Sequence, residues 1–254
     1  MDIKNIRRIL IIRTDRIGDV ILSTPVITAA RSAFPDAYIA VMVSPQTKNI
    51  VTGNPFLNEV IVYDKRSTQR SLLKTFVFSG WLKSKKFDAA IILHSTIRIN
   101  LICYLSGIPM RVGYARGKMD FLLTDRLEYA KRLGEKHEVE YSLDVLRFIG
   151  VKAESSDPVV LVKEDDVKEA DALLSGEGLK KDARYVIINP AASCVSKIWP
   201  AEKFAGLADA IIDKYGLPVV LNTGPDHVDI GEKVMGLMKN KLSLIHISEP
   251  TRPY

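Results

Sequence analysis

The strongest constraint on the fold is an alternation of short apolar runs with longer segments of helical period. The apolar runs have the length of β-strands and lie at residues 9–12, 38–43, 60–63, 89–93 and 111–114. The helical segments lie at residues 19–34, 71–83, 96–106 and 139–149. This order is typical of proteins in which helices cover a parallel sheet. The sequence therefore predicts an α/β domain in this part of the chain.

A second series of the same kind follows a polar connection at residues 151–166. It contains strands at residues 185–188 and 218–221 and helices at residues 167–174, 201–214 and 228–238. Two strands are too few for a doubly wound domain, which usually has about five or six. We therefore expect one complete domain at residues 1–155 and an incomplete second domain at residues 156–241.

The end of the chain, residues 242–254, reads Leu-Ser-Leu-Ile-His-Ile-Ser-Glu-Pro-Thr-Arg-Pro-Tyr. This stretch resembles a translated sequencing adapter more than a sequence selected for a fold, so we expect it to be a non-native tail. The alternative is a genuine strand over residues 242–247, ending at Pro250.

The balance of charge differs between the two parts of the chain. Residues 1–160 hold 24 Lys and Arg against 16 Asp and Glu, whereas residues 161–254 hold 12 against 14. A basic first part favours an anionic partner such as a phosphorylated substrate, a membrane surface or a nucleic acid. A generally solvated basic face explains the charge equally well.

Composition excludes several classes of protein. With 47% hydrophobic and 26% charged residues, the chain is neither disordered nor of low complexity. Its longest uncharged stretches have 12 residues, and a membrane-spanning helix needs roughly 18. The N-terminus is charged and leads directly into a strand, so we expect a cytoplasmic protein. Because Cys103 and Cys194 lie far apart, we predict neither a disulfide framework nor a zinc site.

The first strand leads through Arg13-Thr14-Asp15-Arg16-Ile17-Gly18-Asp19-Val20 into a helix. A tight turn at Gly18 would place backbone N–H groups at the carboxyl edge of the sheet, where open α/β folds bind ligands. The segment has neither the GxGxxG pattern of dinucleotide sites nor the Gly-Lys-Ser/Thr ending of a P-loop. Asp19 stands at the helix start, where the helix dipole favours a carboxylate even without a catalytic role.

Residues 13–25, which read RTDRIGDVILSTP, resemble the opening of glycosyltransferase family nine, the ADP-heptose:lipopolysaccharide heptosyltransferases. Further resemblances follow in the family's order. They lie at residues 91–95 with Arg98, residues 111–114, residues 137–139, residues 189–193 and residues 197–204. Their order and spacing together are specific to the family, and the similarity covers nearly all of the chain up to Lys241.

The resemblance implies a GT-B fold, in which two Rossmann-like domains with parallel sheets bind the acceptor and the nucleotide-sugar donor respectively. It implies inverting transfer of heptose from ADP-heptose to the lipopolysaccharide inner core, without a cofactor or an obligatory metal. Asp19 is then the general base that removes the proton from the attacking acceptor hydroxyl. Lys197 meets the donor diphosphate, where negative charge develops as ADP leaves. From the residues alone, Lys197 is a loop lysine.

The resemblance also implies contacts to both substrates. On the acceptor side, the candidates in or near strand-end loops are Arg13, Thr14, Arg16, Gly18, Arg98 and Arg116. On the donor side, the candidates are Ser193, Lys197, Thr223 and Gly224. Ser193 and Thr223 have turn or capping roles as alternatives. His94, His137 and His227 lack metal-ligand spacing, and His137 fits a helix start.

These assignments imply a nucleotide-sugar donor, an anionic lipopolysaccharide-core acceptor, peripheral contact with the inner membrane, and no nucleic acid. Residues 74–87 mix apolar and basic side chains as interfacial helices do, but we favour a core helix with a solvated basic end. Because a later donor-holding segment of the family has no counterpart here, we expect this chain to be an inactive fragment. The alternatives are another GT-B enzyme, such as a nucleotide-sugar epimerase, or a non-catalytic protein that binds anionic glycolipids.

Overall fold

The computed structural model describes residues 3–65, 67–117, 119–154, 156–180, 182–192, 195–224, 227–240 and 244–248. The chain divides into two compact units, Met1–Leu161 and Val162–Tyr254. The first unit therefore extends beyond the boundary expected at residue 155. Within the described ranges, every helix is too short or too polar to pass through a lipid bilayer.

The first unit is built on a parallel sheet. Its strands are β1 Arg8–Ile12, β2 Tyr38–Val43, β3 Glu59–Val62, β4 Ala89–Ile92, β5 Met110–Ala115 and β6 Asp125–Glu128. They lie in the order β3-β2-β1-β4-β5-β6. In the central strand, Ile11 is in register with Val41 of β2 and with Ile91 of β4. Such strands are buried on both faces, which explains their continuous apolar sequence.

Helices cover both faces of this sheet. They are α1 Ile17–Ile21, α2 Thr24–Ala33, α3 Lys48–Val51, α4 Leu72–Ser84, α5 Ile97–Leu105 and α6 Glu138–Phe148. Successive strand residues point to opposite faces, so β1 contributes to two cores. Leu10 and Ile12 pack with buried residues of α4 and α5. Ile9 and Ile11 pack with buried residues of α2 and α6.

The single helix predicted at residues 19–34 is wrong, because the structure has two helices there. The helical hydrogen-bond ladder breaks at Pro25, which has no backbone N–H to donate. The hydroxyl of Thr24 donates instead to the carbonyl of Ile21 at 2.7 Å, and the hydroxyl of Ser23 donates to the carbonyl of Asp19 at 2.7 Å. One helix thus ends at Ile21 and a second begins at Thr24.

The direction of the strand order reverses between β1 and β4, because β2 and β3 lie on one side of β1 whereas β4, β5 and β6 lie on the other. Open α/β sheets bind ligands at the carboxyl ends of the two strands that flank such a reversal. The loops after Ile12 and Ile92 therefore define the candidate site of this unit.

The second unit contains α7 Glu164–Gly176, β7 Val186–Ile188, α8 Ala201–Tyr215, β8 Val219–Thr223, α9 Val228–Leu237 and β9 Leu244–Ser248. Its strands form a parallel sheet in the order β7-β8-β9. β9 lies in the stretch expected to be a non-native tail and pairs with β8 along residues 244–248. The structure thus has a strand in this stretch, as the alternative to a tail predicted. That the stretch is non-native stays a prediction.

Candidate active site at the carboxyl edge of the first sheet

The loop after β1 brings Asp19 to the carboxyl edge of the sheet. Residues 13–16 form the connection, and Arg16 is the N-cap residue of α1. Asp19 lies in the first turn of this short helix and is 32% exposed. Gly18 lies inside α1 without a positive φ, so the tight turn predicted at Gly18 is wrong. The turn is formed by the residues that precede the helix.

A buried arginine holds this edge together. Arg13 is only 4% exposed, and its guanidinium contacts three carboxylates. The N–O distances are 2.8 Å to Asp15 Oδ1, 3.1 Å to Asp19 Oδ1 and 3.1 Å to Glu138 Oε1. Since its donors are already engaged, Arg13 is not free to bind acceptor phosphates, and that interpretation of Arg13 is wrong. Its position shows that it orients the carboxylate of Asp19.

Glu138 joins α6 to this cluster. Its Oε1 accepts from Arg13 and lies 2.5 Å from Nζ of Lys131. Burial raises the pKa of Glu138, but the hydrogen bond and charge of Lys131, together with Arg13, lower it more, so the net pKa is below the usual value. Burial also lowers the pKa of Lys131, against the opposing effect of Glu138. The five charged side chains are therefore two cations and three carboxylates: Arg13, Lys131, Asp15, Asp19 and Glu138.

A second contact joins the two strand-end loops at the reversal. Thr14 Oγ1 and His94 Nδ1 are hydrogen bonded at 3.2 Å. Burial lowers the pKa of His94; the Asp15 carboxylate opposes this shift, and nearby cations including Arg13 add to it. The net shift favours the neutral imidazole. The Thr14 side chain thus joins the loop after β1 to the loop after β4. Because Thr14 is only 4% exposed, its side chain is not open to a substrate, contrary to the contact predicted for it.

Three other predicted residues lie on accessible parts of the first unit. Arg16 is exposed beside α1, and Arg116 is exposed after β5 with its guanidinium 4.7 Å from the centre of the Tyr129 ring. Arg98 is partly buried in the first turn of α5, where its Nη1 donates to the carbonyl of Gln69 at 3.3 Å. These arginines follow three different strands at the carboxyl edge of the sheet. We call Arg16, Arg98 and Arg116 the basic rim.

The donor-side candidates belong to the second unit. Lys197 is exposed in a 3₁₀ turn, Val195–Lys197, between β7 and α8. Ser193 lies outside the described residues. Thr223 is fully buried, so the structure does not offer it to a ligand as predicted, whereas Gly224 is partly exposed with open space around it.

Sequence reasoning missed the Arg13 cluster. His137 is the N-cap residue of α6, with Nδ1 accepting from the N–H of Val139 at 3.4 Å, as a helix start requires. The residue after it, Glu138, was given no role. A usable signal was present, because an arginine that follows four buried strand residues needs buried counter-charges. In the described part of the chain, no His, Cys, Asp and Glu side chains are grouped to hold a metal ion.

The sequence matches one family model and several known glycosyltransferases. A family model described as glycosyltransferase family 9 (heptosyltransferase) matches residues 78–246. The lipopolysaccharide heptosyltransferase 3 of Escherichia coli K12 is 28% identical over 222 residues, covering 84% of this chain and 62% of that protein. A putative glycosyltransferase of Haemophilus influenzae is 22% identical over 239 residues, covering 92% of this chain and 68% of that protein. The chain thus spans less than two thirds of the first of these relatives.

Solved structures show the same fold. The glycosyl transferase family 9 structure from Veillonella parvula has a TM-score of 0.84 at 24% identity, covering 95% of this chain and 70% of that one. The Escherichia coli ADP-heptose lipopolysaccharide heptosyltransferase II has a TM-score of 0.78 at 22% identity, covering 95% of this chain and 72% of that one. The predicted α/β fold of GT-B type, with parallel sheets, is confirmed.

Proposed function

Because this chain belongs to glycosyltransferase family 9, we propose that the protein it represents transfers heptose from ADP-heptose to the inner core of lipopolysaccharide. Two relatives support the substrates: one is named lipopolysaccharide heptosyltransferase 3, and a structural neighbour is named ADP-heptose lipopolysaccharide heptosyltransferase II. The first unit would bind the anionic acceptor and the second the nucleotide-sugar donor.

The reaction requires one base and one group that stabilises the leaving diphosphate. An acceptor hydroxyl oxygen forms a bond to the anomeric carbon of heptose, and its proton passes to the carboxylate of Asp19. The bond between the anomeric carbon and the diphosphate oxygen breaks, and ADP leaves with the electron pair. Attack from the face opposite the leaving group inverts the configuration. A positioned base contributes roughly 10²- to 10⁴-fold to such a step.

The observation that supports this assignment most is the setting of Asp19. Its Oδ1 is 3.1 Å from Nη2 of the buried Arg13, while 32% of the side chain is exposed. A base has to be both fixed in orientation and open to its substrate. Asp19 meets both conditions, and it lies at the strand-order reversal where α/β sheets bind ligands.

Lys197 is proposed to stabilise the leaving group. A cation beside the diphosphate accelerates transfer because it stabilises the developing charge more than the ground state. Lys197 is exposed at the loop between β7 and α8, as such a contact requires. The transfer would need no cofactor and no metal.

The basic rim is proposed to bind the acceptor. Arg16, Arg98 and Arg116 supply donors for the phosphate and carboxylate groups of an anionic inner core. The first unit also has the basic excess that favours such a partner. The protein would then act in the cytoplasm at the inner face of the inner membrane, where a lipid-linked acceptor is presented.

Mass spectrometry of the reaction products tests the proposal. The product of the complete gene that contains this sequence is incubated with ADP-heptose and a lipid A–Kdo acceptor. We expect release of ADP and an acceptor heavier by one heptose, and NMR of the isolated product should show an inverted anomeric configuration. Transfer from a different nucleotide sugar only, or epimerisation of the donor without transfer, contradicts it.

We also propose that the 254-residue chain has little or no transferase activity by itself. The chain spans 62% of the heptosyltransferase 3 relative, so its donor site would be incomplete and calorimetry should detect no tight binding of ADP to this chain. Binding of ADP to the 254-residue chain as tight as to the product of the complete gene would contradict this proposal.

A further inference from the structure

The outward side of α4 is apolar although it faces solvent. Five large apolar side chains share it, and their exposed fractions are 65% for Leu72, 74% for Leu73, 53% for Phe76, 68% for Val77 and 42% for Trp81. At 3.6 residues per turn they span one half of the helix circumference. We call these five residues the α4 face.

The other half of α4 packs on the sheet. Phe78 and Leu82 are buried there against strand residues and α5. The buried half of α4 and the exposed Lys83 and Lys86 agree with the interpretation of residues 74–87 as a core helix with a solvated basic end. That interpretation does not account for the five apolar residues of the α4 face, which the helix leaves exposed. A contiguous set of exposed apolar residues, unlike single scattered ones, marks a binding surface.

The charged side chains of the α4 segment itself are positive. Residues 71–87 contain four lysines and no Asp or Glu. Lys74, Lys83 and Lys86 are exposed. Lys85 pairs with Glu59 at 2.7 Å and lies 5.0 Å from the centre of the Trp81 ring. An apolar face bordered by lysines complements an anionic lipid surface, which offers both acyl chains and negative headgroups.

The α4 face begins near the candidate active site. A helix that follows a parallel strand starts at the carboxyl edge of the sheet, so Leu72 lies toward the edge that bears Asp19. The loop before α4 contacts α5 there, since Arg98 donates to the carbonyl of Gln69. A membrane under the α4 face would therefore present a lipid-linked acceptor on the same side as the basic rim.

We propose that the α4 face docks on the surface of an anionic lipid bilayer, with its apolar side chains at the headgroup boundary and its lysines among the headgroups. The proposal rests on the proposed function in one respect, which is that docking would bring the candidate site close to a lipid-linked acceptor. The docking needs no membrane-spanning segment, because an interfacial helix lies parallel to the surface.

Vesicle co-sedimentation of the 254-residue chain tests the docking. The vesicles are phosphatidylcholine with roughly 30% phosphatidylglycerol, compared with phosphatidylcholine alone. We expect binding to the anionic vesicles to weaken at least about tenfold for Leu73→Ser/Phe76→Ser and for Lys74→Glu/Lys83→Glu. The matched control is Phe148→Ser, since Phe148 is 52% exposed on α6, on the opposite layer; it should bind like the unchanged chain.

Fluorescence of Trp81 gives a second measurement that leaves the α4 face unchanged. The chain has two tryptophans, so Trp199→Phe leaves Trp81 as the single probe. We expect anionic vesicles to shift its emission to shorter wavelength and brominated lipids to quench it. Unchanged emission from Trp81 on vesicles that bind the chain would overturn the proposal.

Two further results would also overturn it. One is vesicle binding by the α4-face variants equal to that of the Phe148→Ser control. The other is dimer dissociation on Leu73→Ser/Phe76→Ser without loss of vesicle binding, which would make the face a protein interface. Asp19→Asn should bind vesicles normally. If vesicle binding follows the prediction but no heptose is transferred, the proposed function fails and the docking stands.

Discussion

At the scale of single residues, Arg13 determines the geometry of the candidate site. Its guanidinium is buried at the end of β1, and a buried charge is stable only when paired. The three carboxylates that pair with it come from its own loop, from α1 and from α6. Arg13 thereby fixes Asp19 relative to the sheet and ties α6 to the same edge.

Loss of the Glu138 charge should weaken this arrangement. Glu138→Gln removes the carboxylate shared by Arg13 and Lys131, so we expect the first unit to lose about 1–3 kcal/mol of stability in urea unfolding. The control is Glu140→Gln on the same helix, whose pair with Arg147 is more exposed at 31% and 34%. That variant should lose less than about 1 kcal/mol. Equal losses for the two variants would contradict a special role for Glu138.

Acid should destabilise the first unit through the same carboxylate. The folded-state pKa of Glu138 lies below its ordinary value of 4.5, chiefly because Lys131 and Arg13 outweigh the effect of burial. A lowered pKa stabilises the fold above pH 4.5, and this contribution is lost as the pH falls through the folded-state value. Urea unfolding at several acid pH values should show a shallower loss for Glu138→Gln than for the unchanged chain. A steeper loss for the variant would refute the assigned direction.

The sequence allowed the position of Asp19 to be predicted, but not its environment. The pattern of strand, loop and helix places Asp19 at the sheet edge, as the structure has it. Its partner Arg13 looked like a free loop cation, because the sequence does not show that residue 138 packs against residue 13. Contacts across such a distance in sequence depend on tertiary packing.

At the scale of elements, the length of an apolar run in the sequence was the reliable predictor of a strand. The central strands β1, β2 and β4 agree with their predictions to within one residue, because they are buried on both faces. β6, Asp125–Glu128, was missed, since it is a polar edge strand in which only Leu127 is buried. The division between α1 and α2 was missed although Pro25, at the start of α2, marks it in the sequence.

The hydroxyl of Thr24 should matter to this division. It donates to the carbonyl of Ile21 at 2.7 Å and accepts from the N–H of Val159 at 2.9 Å, in a residue that is 1% exposed. Thr24→Val keeps the shape and leaves both partners unpaired, so we expect a loss of about 2 kcal/mol or more in urea unfolding. Thr52→Val, which removes an exposed bond to Lys48, should cost under about 0.5 kcal/mol. A neutral Thr24→Val would contradict the interpretation.

At the scale of the whole molecule, the two units differ in their balance of charge. The basic excess lies in the first 160 residues, so binding of an anionic acceptor should weaken as salt rises from about 50 to about 200 mM. Arg16→Gln/Arg116→Gln should weaken acceptor binding about tenfold and reduce its salt dependence. Lys180→Gln, an exposed lysine of the second unit, is the control and should change neither. Unaltered acceptor affinity in the double variant would remove these arginines from the site.

The second unit was less predictable than the first. Its two expected strands and its helices are present, but the third strand, β9, lies where a tail was expected. The three strands among the described residues of this unit still fall short of the roughly five or six typical of a doubly wound domain. The strand signal in residues 244–248 was an apolar run, and composition alone does not tell whether such a run pairs with a neighbour.

The rate of heptose transfer by Asp19→Asn tests the central claim most directly. The variant of the complete gene product keeps the size and hydrogen-bonding reach of the side chain but has no carboxylate to accept the proton. With Asp36→Asn, an exposed aspartate remote from the Arg13 cluster, as the matched control, kcat should fall about 10²- to 10⁴-fold in Asp19→Asn only. Acceptor binding should be kept in both variants. A kcat for Asp19→Asn equal to that of the unchanged enzyme would contradict the assignment of Asp19 as the base.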